Sequence, residues 1–171
     1  ILAANAILII LQMFISYSLD GFAQASEVLI GNEYGKRKKD NITKIIISSS
    51  LISFIFALIY SLIFYFFSMH IIEIITPINA VLIETKNYII WVIISPLISF
   101  LAYQLDGIFI GANKTKIMRN SVIISFIIYI FSLIIFIPIY GNHGLWASFI
   151  VFMLFRGLLL LSKYKTLYQF S

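Results

Sequence analysis

Three of the seven carboxylates in this 171-residue chain, Asp20, Glu27 and Asp106, stand inside long apolar runs. A charged residue at the centre of a membrane helix costs about 2.5 to 3.5 kcal/mol on insertion scales, so it marks an ion pathway unless a partner explains it. A carboxylate deprived of water calls for a proton or a metal cation. If neutralising Asp106 favours one conformation and a second ligand favours another, each ligand weakens the other by the same coupling free energy. Exchange of the two ligands across a membrane is the chemistry such residues can do.

These carboxylates do not stand alone on their segments. Stepping about 100° per residue, Gln12, Ser16, Asp20, Gln24, Glu27 and Gly31 share one side of a helix, with Asn5 beside them. Tyr88, Ser95, Ser99, Tyr103 and Asp106 share a face of another. A polar stripe on a membrane helix faces protein or water; it is either a hydrogen-bonding seam or the wall of a hydrated cavity. Asp106 is the first candidate for cation coupling, followed by Asp20 and Glu27. Ser16, Gln24, Ser99 and Tyr103 are candidates for the cavity wall. Pro96 removes one backbone donor from the Asp106 helix and kinks it, either for packing or as a hinge.

The elements that must position these residues follow from composition. The chain is 61% hydrophobic and 11% charged, with a mean hydropathy of +1.04, whereas soluble domains carry roughly 25% charged residues. A span needs about 20 apolar residues. Five are expected, at about 1–31, 42–67, 87–110, 120–137 and 145–162. The fold class is therefore all-α, a polytopic membrane helix bundle treated as one membrane domain over residues 1–171.

Charge in the connections sets the expected orientation. Lys36, Arg37, Lys38, Lys39 and Lys44, then Lys114, Lys116 and Arg119, then Lys163 and Lys165 all fall on one side, which the positive-inside rule makes cytoplasmic along with the carboxyl terminus. The 68–86 connection and the Pro138 to Gly144 turn then lie outside, with Trp91 and Trp146 as anchors at the outer interface. Arg156 stands about two turns from the basic tail and is expected to snorkel toward it. Ser50, Ser53, Ala57 and Ser61 form a close-packing face on the second span.

Other chemistries are set aside. There is no cysteine, so no disulfide or thiolate metal site is possible. His70 and His143 have no second His or Cys at ligand spacing, so no metal site is expected. The net charge of +5 sits in short loops beside spans, which argues against nucleic acid. The chain opens at Ile1 within an apolar helix, without a basic leader region, and reads as the later part of a longer protein.

Three strings carry a resemblance: LDGFAQASEVLIGNEYGK from Leu19, QLDGIFIGANKTKIMRNS from Gln104 and GNHGLWASFIVFMLFRGL from Gly141. Together, in this order and spacing, they resemble the multidrug and toxic compound extrusion transporters, nearest the branch named for the damage-inducible F protein. The resemblance implies a twelve-helix, two-lobed antiporter, with this chain supplying its last five helices. It implies export of cationic or amphipathic compounds against protons or sodium ions, without a cofactor, in the inner (cytoplasmic) membrane. In a related branch a carboxylate on the tenth helix belongs to the cation site of this lobe, and Asp106 occupies about that place. The partners implied are membrane lipid, small-molecule substrates and an amino-terminal lobe in cis or in trans.

Three other classes compete. A flippase for lipid-linked sugars is the nearest, but it calls for a more cationic cavity than Asp20, Glu27 and Asp106 would make. An intramembrane aspartyl protease would pair Asp20 with Asp106; neither is in a Gly-x-Gly-Asp context, and Glu27 has no place in that chemistry. A non-transporting membrane subunit leaves the three carboxylates without a reason.

Overall fold

The computed structural model describes residues 1–169 and consists of five long helices with a short helical tail. They are α1 (Leu2–Gly35), α2 (Lys39–Ile75), α3 (Asn79–Gly111), α4 (Thr115–Tyr140) and α5 (Asn142–Ser162), followed by a 3-10 turn at Tyr164–Tyr168. All five are long and apolar enough to cross a membrane. The all-α bundle expected from hydropathy is the fold observed.

Two connections are shorter than the composition suggested. Residues 68–75 and 79–86 are helical, which leaves only 76–78 between α2 and α3. Ile72 is fully buried there, and Ile71, Val81 and Leu82 are packed against the same apolar cluster, which includes Leu8 and Leu11 of α1, so the main core continues beyond the expected spans. Thr76 ends α2 in extended backbone, and its hydroxyl accepts the Ile78 N–H at 3.3 Å. Pro138 likewise lies inside α4 rather than in a turn. Gly141, at φ 55°, makes the reversal that Pro138 was expected to share.

The third helix organises the bundle, packing on α1, α2 and α5 and touching α4, while α4 rests mainly on α5. Its contact with α1 is backbone to backbone. Gly107 faces the main chain of Ala23, and Gly111, one turn on, faces that of Glu27; a methyl at either position would overlap the opposing peptide. Such small-xxx-small spacing lets membrane helices approach closely, which compensates for the missing hydrophobic drive in lipid. Ser53, Ala57 and Ser61 of α2 are buried as its close-packing face, with Ser50 half-buried.

Pro96 is buried within an unbroken α3. The Ser61 hydroxyl of α2 donates to the Ile93 carbonyl at 2.8 Å, one turn before the proline. The carbonyl that Pro96 leaves without its helical N–H is that of Val92, four residues before it and next to this bond.

Candidate functional site

Asp106 lies in the most deeply buried part of α3, where every residue from Gln104 to Phe109 is buried. Gly107 brings α1 against one flank. On another flank Gly157 brings in α5, since a methyl there would already meet Ala102 at 3.3 Å. The residue before Gly157 is thereby carried to the carboxylate: Arg156 Nη2 donates to Asp106 Oδ2 in an ion pair whose carboxylate is buried and whose guanidinium is half-buried. The Arg156 guanidinium also lies over the Tyr103 ring, 5.8 Å from its centre. Ser121 of α4 donates to the Arg156 carbonyl at 3.1 Å.

Snorkelling, the expected fate of Arg156, is not what occurs. A cation within reach of a buried carboxylate relieves both desolvation penalties by pairing, and the lack of a side chain at Gly157 lets α5 come close enough for that reach. The interior of these spans is therefore not purely acidic.

Asp20 is half-buried on α1 and accepts a hydrogen bond from Gln24 Nε2 at 3.0 Å. It lies within electrostatic reach of Asp106 and of Tyr103, and Tyr103 in turn stands beside Ser16. Asp106, Asp20, Tyr103, Arg156 and Ser16 thus form one group. Glu27 is half-buried, about two turns beyond Asp20 toward the basic loops, with its main chain against Gly111. Ser99 is fully buried and donates to the Ser95 carbonyl of its own helix at 2.6 Å, while Gln24 is exposed.

A cavity of about 540 Å³ opens between α1, α3, α4 and α5, and Ser16 and Tyr103 are in its wall with Gln12, Tyr129 and Phe149. Asn5 and Trp146 in its wall belong to a polar knot. Asn5 Nδ2 donates to Asn142 Oδ1 at 2.6 Å, Asn142 Nδ2 returns to Asn5 Oδ1 at 3.0 Å, and Trp146 Nε1 donates to the same oxygen at 2.9 Å. Neither tryptophan is merely an interface anchor: Trp146 is buried, and Trp91 Nε1 donates to His143 Nδ1 at 3.0 Å. His143 begins α5 rather than sitting in a loop.

The sequence assigns Arg156 only a snorkelling role and Asn5 only a place beside the α1 stripe, and it gives Gln104 no role. Gln104 is fully buried and donates to Ser26 and Ser49, each at 2.7 Å, tying α1 and α2 to α3. The signals were present. Arg156 is a cation inside an expected span, Asn5 lies beside the α1 stripe, and Gly107 and Gly111 form a G-x-x-x-G string.

Comparison with known proteins places this arrangement. The family model described as MatE matches residues 1–135. DNA damage-inducible protein F of Escherichia coli (strain K12) is 35% identical over 165 residues, covering 96% of this chain and 36% of that protein. The crystal structure of the eukaryotic MATE transporter AtDTX14 superposes with a TM-score of 0.86 at 14% identity, over 95% of this chain and 37% of that one. The chain thus spans little more than a third of the length of either relative.

Proposed function

Because this chain belongs to the MatE family, we propose that it is the carboxyl-terminal part of a secondary transporter, an antiporter that exports cationic or amphipathic compounds rather than an enzyme. The observation that carries this reading is an ionisable pair with a buried carboxylate, separated from a largely apolar cavity by one aromatic ring, that of Tyr103. Ligand cavities combine apolar walls with a few placed polar groups. Asp106 takes the coupling cation, a proton or sodium ion, and no further cofactor is called for. Asp20, held by Gln24, adds negative charge within electrostatic reach of Asp106, and Glu27 extends the acidic path toward the basic loops. Ser16 and Tyr103 meet the compound, while Ser99 holds the helix beneath. Pro96 is the hinge about which the Asp106 half of α3 moves.

The chain's coverage of its relatives supports a second lobe, in cis or in trans, completing the cavity. The basic loops support an inner-membrane location with the carboxyl terminus in the cytoplasm. The test is uptake of a fluorescent cation into proteoliposomes of the full-length protein under an imposed proton or sodium gradient. Gradient-dependent accumulation that Asp106→Asn abolishes is expected; no accumulation under either gradient rejects the reading.

A further inference from the structure

We propose that Arg156 is a tethered cation that occupies Asp106 in place of a metal ion, so that a proton on Asp106 is what releases Arg156 toward Tyr103 and the cavity. This makes Arg156 a positioning residue that decides which ion the site accepts, and it rests on the transport reading above.

The geometry supplies the argument. Asp106 and Arg156 sum to zero charge, and Arg156 already takes one carboxylate oxygen. A metal ion approaching that carboxylate would face a guanidinium at contact distance, a like-charge repulsion that low dielectric strengthens. Among the described residues no three His, Asp or Glu side chains gather to offset it. The other carboxylate oxygen, Oδ1, is buried and has no hydrogen-bond partner among the described residues, and neither does Arg156 Nε. A proton fits where a hydrated metal ion does not.

Protonation of Oδ1 neutralises the carboxylate and leaves the guanidinium as the pair's only charge. A buried, unpaired cation moves toward whatever stabilises it. The charged and titratable groups facing it are Tyr103 on its own flank of α3 and Asp20 on α1, with the Ser121 hydroxyl of α4 already held on the Arg156 carbonyl. The Tyr103 face is 5.8 Å away, and Tyr103 and Ser16 line the cavity. Freed Arg156 therefore moves toward the cavity wall, where its charge opposes a bound cationic compound. Deprotonation draws it back and leaves Asp20 to attract the next one. Proton and cationic cargo thus exclude each other through one side chain.

The test reads Arg156 directly. Phenylglyoxal modifies arginine, and peptide mass spectrometry of the full-length protein compares Arg156 with the exposed Arg37 and Arg119 as internal references. Asp106→Asn stands for the protonated carboxylate. Several-fold faster modification of Arg156 in that variant, with Arg119 unchanged, is expected; an unchanged ratio overturns the proposal. A second readout is equilibrium binding of radioactive sodium. Arg156→Gln should gain saturable sodium binding that Asp106→Asn/Arg156→Gln loses, whereas wild-type binding that Asp106→Asn removes would overturn the proposal. The modification assay decides even if Arg156→Gln does not fold. Neither readout needs an exported compound, so failure of the export reading is told apart from failure of this one.

Discussion

No side chain fits between Gly107 and Ala23, because a methyl group at residue 107 would overlap the Ala23 peptide. The two helices that carry Asp20 and Asp106 are thereby locked together beside the site. Gly107→Ala should force α1 away and cost about 1 to 3 kcal/mol, as overpacking does. Gly21→Ala, with nothing near it, should be neutral or mildly stabilising. Thermal unfolding in detergent, followed by fluorescence-detected size exclusion, compares the two; equal midpoints would refute the locking role.

Asp106 and Arg156 should be strongly non-additive in stability. Asp106→Leu leaves a guanidinium unpaired and should cost about 3 to 5 kcal/mol, and adding Arg156→Met should recover much of that loss. A double-mutant cycle on unfolding midpoints measures the coupling. Asp106→Asn matches the protonated acid in size and charge, so it should free Arg156 and abolish coupled export while leaving the fold intact.

Asn5 holds α1 to α5 by three hydrogen bonds in the wall of the cavity. Asn5→Ala leaves Asn142 and the buried Trp146 N–H unsatisfied, which should cost about 1 to 3 kcal/mol. Trp146 emission should change in the same variant. Unaltered emission and melting together would mean that the knot bears no strain of the bundle.

Gln104 joins three helices through Ser26 and Ser49. Gln104→Met keeps the volume and removes both bonds, and membrane hydrogen bonds average about 0.6 kcal/mol each. The expected loss is therefore small, about 1 kcal/mol for the pair. Hydrogen–deuterium exchange should report faster opening of α2 relative to α3.

The tail should respond to alkali. Burial, and then the 2.6 Å hydrogen bond with Tyr168, push the Tyr164 phenol up to about 12. Its unfolded value is lower, near 10, so above that pH the folded tail holds a proton that the unfolded chain releases. Stability is then fully present below about pH 10 and is lost as pH rises toward 12. Tyr168 also bonds Thr43 at 3.0 Å, so the loss loosens the tail from α2. Tyr164→Phe should remove this pH dependence from the melting curve.

Hydropathy alone determined five membrane helices, the acidic stripe on α1, the seam that ends at Asp106 and the packing face of α2. These are local properties: a lipid environment imposes a length and a rotational period on each segment separately. The family resemblance was equally legible, because it lives in contiguous strings around Asp20, Asp106 and Arg156. Helix ends were less so. Ile71, Ile72, Val81 and Leu82 extend α2 and α3 by joining the apolar cluster that α1 helps to build, a gain invisible in either segment alone.

Only the tertiary structure decided that Arg156 turns to Asp106 instead of the tail, and that Ser16 and Tyr103 reach the cavity while Ser99 does not. Residues 106 and 156 are brought together by the rotation and separation of α3 and α5, which Gly157 and Leu101 set where they meet. Periodicity gives the face of a helix. Which neighbour that face meets depends on where glycine lets backbones close, and Gly107, Gly111 and Gly157 are where this bundle does so.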